Sequence, residues 1–469
     1  MTPRLAVREG GSAQTRDLRP SDVLHPGAMS SLVCVEGCPG EHDPFEPLFE
    51  CPSCGGLIDV RHDIEALQQK SAPDWHRLLV ERASSTFPLD RSGVWAHREW
   101  VMPELPETAV ISAGEGRTPL VEHPSLAKAV GLRRVFVKQC GHSLTGSFKD
   151  LGMTVLVSMA SAMRRRGRDV RALVCASTGD TSAALAAYGA MAGIPVVVLL
   201  PAGKVSPAQL VQPLAHGAHV LVLDGDFDRC MAVVQEITRL PGMFLANSKN
   251  PLRLEGQKTV AFEIAWDLGW AVPDLVLVPS GNLGNVAALA KGFTLLQELG
   301  LTGRVPRLVA CQVDAANPLY RAFQGGLANL EPLVAEDTLA SAIRIGNPVS
   351  WPRAKRALEQ TGGLVTSASE EDLLRVQAEA DRAGMFVCPH TAAALAGLEQ
   401  LHRQGQIPEG GSAVVVSTAH GLKFVEQKAR FHTDGGGRDA AHLEAFRNPP
   451  LTVEANVDAV RRTLDRRLA

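Results

Sequence analysis

Lys149 stands in Thr145-Gly146-Ser147-Phe148-Lys149-Asp150, shortly after the apolar run Val135-Phe136-Val137-Lys138. The run reads as a strand, and residues 151–165 are rich in helix formers with few breakers, so the lysine falls near a strand-to-helix junction. In open α/β sheets such junctions border the crevice where ligands bind. An amine buried there can be held below its ordinary pKa, form a Schiff base and serve as a base. A lysine taken alone is more often a solvated surface group, so the chemistry depends on what else reaches the same sheet edge.

Three further junctions reach it. Pro279-Ser280-Gly281-Asn282-Leu283-Gly284-Asn285 follows a strand-like run and opens a helix. That arrangement aims several backbone N–H groups at an anion, and the glycines let the chain close around a phosphate. Ser177-Thr178-Gly179-Asp180-Thr181-Ser182 lies between an apolar strand and an alanine-rich helix. Its hydroxyls and N–H groups suit a carboxylate or phosphate and Asp180 suits a phenolic oxygen, although the same residues also make a good N-cap. Val416-Ser417-Thr418-Ala419-His420-Gly421 ends the last strand with hydroxyls and a histidine, alone no more than a polar turn. Together these are a lysine, a phosphate cradle, a partner for a phenolic oxygen and a hydroxyl for a ring nitrogen. Pyridoxal 5′-phosphate can use each of these contacts.

The elements that must position these groups alternate along the chain. Strand-like runs at 172–176, 196–200 and 220–223 are followed by helix-like segments at 181–191, 206–216 and 227–239. The alternation resumes with a strand at 275–278, a helix from Val286, and strands at 308–313 and 413–416. That pattern predicts an α/β fold, a parallel sheet with crossover helices. With 469 residues, 45% of them hydrophobic and few aromatic, two or three domains with an Ala, Leu and Val core are expected. A net charge of −3, without a basic patch interleaved with aromatics, argues against nucleic acid as a partner. No apolar stretch has the length of a membrane span; the most apolar run, 196–200, lies between Pro195 and Pro201. Residues 1–28 mix arginines with Glu9, Asp17 and Asp22 and lack an apolar centre, so no targeting signal is expected and the cytoplasm is the expected compartment.

Of the nine cysteines, Cys140, Cys175, Cys230, Cys311 and Cys388 are scattered, as expected of reduced buried thiols. The other four, Cys34-x3-Cys38 and Cys51-x2-Cys54 with Gly55-Gly56 following, look like two knuckles of a zinc ribbon. Structural zinc needs four ligands on tight turns. The first knuckle has three intervening residues where two are more usual, His42 competes as a ligand, and a metal-free remnant is the alternative. The stretch after Thr433, with Gly435-Gly436-Gly437 and an Arg-rich helix-like end, reads as a tail or interface arm.

With these motifs in this order the chain resembles the pyridoxal-phosphate enzymes of the tryptophan-synthase β fold, fold type II, and within them the plant-type threonine synthases. The resemblance covers about residues 110–432. It rests on Gly114-Glu115-Gly116-Arg117-Thr118-Pro119-Leu120, residues 145–150 and 176–183, Asn247-Ser248 with Arg253-Leu254-Glu255-Gly256-Gln257-Lys258-Thr259, and residues 281–285 and 417–424. It implies two open, mostly parallel α/β sheets with an N-terminal extension that carries the cysteine cluster. The implied parts are a tail (1–28), an N-terminal domain (29–110), a large cofactor-binding domain (111–150 and 245–432), a small mobile domain (151–244) and a C-terminal tail (433–469).

The resemblance also implies roles. Lys149 would carry the cofactor, Gly281, Asn282, Leu283, Gly284 and Asn285 would bind its phosphate, Asp180 would contact its ring hydroxyl and Thr418 its pyridine nitrogen. Ser248 and Arg253 would clamp the substrate phosphate, with Ser177, Thr178, Thr181 and Asn285 as neighbours. An arginine fork suits a dianion, whereas outside this motif Arg253 would read as a surface ion pair. Many fold relatives carry Asn where this chain has Asp180; plant-type threonine synthases carry Asp, which weakens a deaminase reading. The implied reaction takes O-phospho-L-homoserine and water to L-threonine and phosphate, in a homodimer, with Lys149 moving the α- and β-protons. A threonine/serine dehydratase or a cysteate synthase of the same fold is the alternative enzyme. A non-catalytic zinc-ribbon binding protein is the alternative of another class, and it leaves the active-site set without a purpose.

Overall fold

The computed structural model describes residues 30–177, 179–202, 207–225, 227–433 and 441–468. Among these residues thirteen strands form three sheets. β1 (Ser30–Cys34), β2 (Glu41–His42) and β3 (Ile58–His62) make a small antiparallel sheet in the order β2-β1-β3. β1 and β3 alternate strictly, burying Leu32 and Cys34 on one and Ile58, Val60 and His62 on the other, as a sheet with one covered face requires.

β4 (Leu120–Glu122), β5 (Arg134–Gln139), β10 (Leu275–Pro279), β11 (Arg307–Val313), β12 (Leu364–Ala368) and β13 (Ser412–Ser417) form a six-stranded sheet in the order β12-β11-β10-β13-β5-β4. It is parallel except for β4, which runs antiparallel to β5. After β5 the chain leaves this sheet and builds a second one, wholly parallel, from β6 (Val170–Ala176), β7 (Val196–Pro201), β8 (His219–Leu223) and β9 (Gly242–Leu245), in the order β8-β7-β6-β9. It returns to the large sheet at β10. The continuous apolar runs of β6, β7 and β10 fit strands covered on both faces by crossover helices.

The expected alternation is present, with shifts where the ends matter. The helix after the lysine motif is Lys149–Arg165, so Lys149 is its first residue, and the helix expected from Val286 is Gly284–Glu298. β4, β9, β12 and the three N-terminal strands were not expected: all are short, and in all but β9 polar residues break the apolar run.

The helix Lys149–Arg165 is buried from Asp150 to Met163 and packs against the short helix Leu252–Gln257 through glycines. A Cβ on Gly256 would lie 1.7 Å from the Leu151 carbonyl oxygen, and one on Gly152 would lie 2.9 Å from the Arg253 carbonyl oxygen. Only two bare Cα positions allow these backbones to meet, which brings Arg253 alongside Lys149.

At the C-terminal end, Leu443 is buried with Phe431 and Ala378, whereas the helix Val457–Leu468 buries nothing. Gly435-Gly436-Gly437 and residues 1–28 lie outside the described residues. Among the described residues no helix is long and apolar enough to cross a membrane.

Candidate active site

A cavity of about 500 Å³ lies between the ends of the two sheets, and Lys149, Asp180, Arg253, Asn285 and Thr418 all line it. The loop that presents Lys149 is tied down at both ends. Thr145 donates from its backbone N to Asp150 Oδ2 (2.8 Å) and from Oγ1 to Asp150 Oδ1 (2.5 Å), and Phe148 N donates to the Thr418 carbonyl (2.9 Å). Gly141 belongs to the same clasp: a Cβ there would lie 2.4 Å from His420 N. Lys149 is half-buried and faces the cavity. Burial, and then the Arg253 and Lys423 cations, outweigh the Asp180 carboxylate and bring its amine down to about 7.

The segment 281–285 turns into the helix Gly284–Glu298 through a left-handed residue, which is Leu283 (φ +67°) and neither of the flanking glycines. Gly281 instead meets the loop that covers the cavity, where a Cβ would lie 2.8 Å from Ile343 Cα. Asn282 accepts from Ser350 N with its carbonyl (3.2 Å). Asn285 is buried, and neither its side-chain oxygen nor its nitrogen has a hydrogen-bond partner. Buried amide groups seldom stay unpaired, so this pair marks a place for a polar ligand at a helix N-terminus.

Asp180 opens the helix Asp180–Ala192 and pairs with Lys423 Nζ at 3.0 Å. Burial pushes its carboxyl up, yet Lys423, His390 and Lys149 outweigh burial and hold it below the usual range. Lys423 also donates to the Thr145 carbonyl (2.9 Å) and to Gln212 Oε1 (3.1 Å), so one ammonium joins the lysine loop to Asp180. Nothing in the sequence singled it out except its place within residues 417–424. Thr418 is buried, with the Cys388 thiol 4.0 Å from its hydroxyl.

Arg253 is 2% exposed, which removes the surface ion pair as its explanation. Its Nη1 donates to the Ala246 carbonyl (3.2 Å), its Nε has no partner, and among the described residues it makes no salt bridge. Burial lowers its guanidinium to about 10, so it stays charged at neutral pH. Ser248 is half-buried on the same wall, and Asn247 beside it is fixed by exchange with Ala176, donating to its carbonyl (2.8 Å) and accepting from its N (3.0 Å).

Ser177 and Thr181 also line the cavity. The Ser177 hydroxyl oxygen already accepts from Gly179 N and Ser182 N (both 3.2 Å), so it caps this turn and only its proton is free for a ligand. Thr178 lies outside the described residues. His420 is a turn residue that accepts from Leu422 N (3.1 Å) and lies beside His142, their rings tilted at 42° with centroids 5.4 Å apart.

Away from this cavity, the sulfurs of Cys34, Cys38, Cys51 and Cys54 all lie within 4.8 Å of one another. His42 is not among them; it faces Glu46 at 3.8 Å, so the competing ligand is withdrawn. The five scattered cysteines are all buried.

Residues 111–419 match the family described as pyridoxal-phosphate dependent enzyme. The chain is 48% identical over 408 residues to "Threonine synthase 2, chloroplastic" of Arabidopsis thaliana, across 87% of this chain and 78% of that protein. It is 38% identical over 437 residues to the threonine synthase of Methanosarcina acetivorans, across 93% and 99% respectively. In fold it is similar to the crystal structure of threonine synthase from Escherichia coli, with a TM-score of 0.66 and 22% identity, covering 93% of this chain and 100% of that one. It is also similar to maize serine racemase, with a TM-score of 0.56 and 18% identity, covering 68% and 93%.

Proposed function

Because the chain belongs to the pyridoxal-phosphate dependent enzymes and is a threonine synthase by its relatives, we propose that the cavity at Lys149 takes O-phospho-L-homoserine and water to L-threonine and phosphate. The residues fit the cofactor. An amine of lowered pKa, a helix N-terminus with an unpartnered Asn285, a carboxylate at Asp180 and a hydroxyl at Thr418 line one space. Bound there, pyridoxal 5′-phosphate supplies the electron sink that makes the substrate's α- and β-protons removable.

The chain supplies the rest. Lys149, about half unprotonated near pH 7, takes the α-proton and then a β-proton as phosphate leaves, and protons return to the γ- and α-carbons as water adds its hydroxyl at the β-carbon, because an amine at that pKa can both take and give protons near neutrality. Lys423 keeps Asp180 ionised as an acceptor. Thr418 offers a hydroxyl, too weak an acid to keep a pyridine nitrogen protonated, so proton positioning by Lys149 carries more of the reaction. Arg253 and Ser248 hold the substrate phosphate, and the arginine then holds the departing dianion close to the carbon that water attacks.

The observation that carries this reading is Arg253: a buried cation with no carboxylate beside it, in the same cavity as Lys149. An uncompensated buried charge is costly, and a phosphate dianion is the partner it lacks. A dehydratase acting on free threonine has no use for it. The test is phosphate release with O-phospho-L-homoserine, set against free L-threonine and against phosphoserine with sulfite. Turnover of either alternative in preference to phosphohomoserine overturns the proposal.

The N-terminal cysteines are part of the same proposal, as a structural zinc site. What supports it is the convergence of four thiols, with Cys34 and Cys54 sulfurs 3.6 Å apart. Elemental analysis of the purified protein checks it, with one zinc per chain expected.

A further inference from the structure

The cysteine-bearing module makes several contacts with the rest of the molecule, among them Phe45 under Arg166 and Ser30 on Glu104, and two of its paths arrive at the Ser248 and Arg253 side of the cavity. The first runs from the loop between the knuckles. Phe49, two residues before Cys51, packs edge-on against Phe244 of β9, with ring centroids 5.1 Å apart at 81°. Its neighbour Glu50 pairs with Lys249 and bridges to Leu57 across the second knuckle. Phe244 and Lys249 bracket Ser248, and between them the Ala246 carbonyl accepts from Arg253.

The second path is β3, which follows the second knuckle directly. His62 Nε2 lies 2.6 Å from Glu255 Oε2 and 2.9 Å from Lys258 Nζ. Lys291 Nζ donates to Glu255 Oε1 (2.6 Å) and Asp59 Oδ1 (3.1 Å), and Arg353 donates to the Ile58 carbonyl. Glu255 is fully buried and stands two residues from Arg253 on the helix Leu252–Gln257. None of Phe49, Glu50, His62 and Glu255 lines the cavity. A buried ionic chain of this kind adds little stability over apolar packing, but it admits one arrangement and penalises the loss of any member.

The thiol cluster decides how firmly both paths are anchored. A tetrahedral zinc with Zn–S near 2.3 Å sets sulfurs about 3.8 Å apart, close to the Cys34–Cys54 separation of 3.6 Å, which is far too long for a disulfide. Gly37 (φ +81°) and Gly55 (φ +72°) give the knuckles their left-handed turns. Four thiols without an ion hold such a loop by weak contacts only, whereas a bound ion fixes its backbone.

We propose that the N-terminal module, closed by zinc on Cys34, Cys38, Cys51 and Cys54, positions the substrate-phosphate clamp, through Phe49 and Glu50 on Ser248 and through His62 and Glu255 on Arg253. This rests on Ser248 and Arg253 being that clamp. His62 and Phe49 are thus positioning residues: they touch no reacting atom, and their loss moves recognition of phosphate rather than the proton chemistry at Lys149.

The test uses the cofactor-loaded enzyme and three variants, His62→Gln, Phe49→Ala and Cys51→Ser/Cys54→Ser, with zinc content, cofactor absorbance and Tm recorded for each. The expected result is a rise of about 10-fold in KM for phosphohomoserine and in the inhibition constant of inorganic phosphate, with kcat within about threefold and the cofactor band unchanged. If the cysteine variant does not fold, His62→Gln and Phe49→Ala carry the test, since both leave the thiols intact. Folded variants with unchanged KM and unchanged phosphate inhibition overturn the proposal, as does a fully active wild-type enzyme without zinc. Arg253→Ala separates the premise: if it leaves phosphate inhibition untouched, the clamp itself is misassigned, whatever the module does.

Discussion

At the scale of single residues, half-buried Lys149 and buried Arg253 are two basic groups whose environments push them in the same direction but not equally far. Lys149 falls to about 7 and titrates near neutrality; Arg253 falls only to about 10 and remains a cation. In cofactor-free protein, labelling of Lys149 by an amine-selective reagent, followed by mass spectrometry, should therefore show a midpoint near 7. A midpoint above 10 would mean that the amine is solvated. Linkage gives a second expectation. Because the folded pKa lies below the unfolded value, the folded state disfavours the charged amine, and that cost is full below about 7 and fades as pH rises toward about 10.4. Lys149→Met should raise the Tm of the cofactor-free protein at pH 7 and do so progressively less toward pH 10. For Arg253, replacement by Ala should lower kcat/KM for phosphohomoserine by about 100-fold, and Lys should recover only part, since an ammonium lacks the fork. Lys149, Asp180, Thr418 and Arg253 were legible because each sits in a motif at a strand or helix end. Lys423 was not, since it reaches Asp180 across the fold from a turn whose sequence shows only a lysine among apolar residues.

At the scale of elements, the site depends on how closely the helices Lys149–Arg165 and Leu252–Gln257 approach. Gly256→Ala puts a methyl carbon where the Leu151 carbonyl oxygen stands, so the helices must separate and carry Arg253 away from Lys149. The expected cost is about 3 kcal/mol, read as a lower midpoint of denaturant unfolding, together with a raised KM in whatever protein folds. An alanine variant of unchanged stability and KM would show that the contact is looser than described. The sequence made both helices visible through their motifs, yet it did not show that Gly152 and Gly256 face each other, because that is a meeting of residues about a hundred positions apart. The turn at residues 281–285 has a detail that the sequence did not show, for a related reason. The left-handed residue of the turn is Leu283, which is buried, while Gly281 is kept small by Ile343, and neither follows from the spacing of the glycines.

At the scale of the whole molecule, the chain leaves one sheet after β5, builds another and returns at β10, so the cavity is walled by segments from both. Alternating strands and helices announced an α/β protein but not which strands share a sheet, because β6 and β10 are equally apolar and pairing is decided by long-range contacts. The N-terminal sheet was hidden further, being short and half polar; only its cysteines marked it. Chelation of the zinc proposed for its four cysteines should lower the apparent Tm of the holoenzyme and raise KM while sparing the cofactor band, and an unchanged Tm would deny the module any part in stability. All three scales meet in one assay, the parallel measurement of phosphate and L-threonine formed from O-phospho-L-homoserine by wild type and by Lys149→Ala. Equal amounts of both products from the wild type, and neither from the variant, are the predicted result. Phosphate without threonine, or threonine formation that survives loss of Lys149, would contradict it.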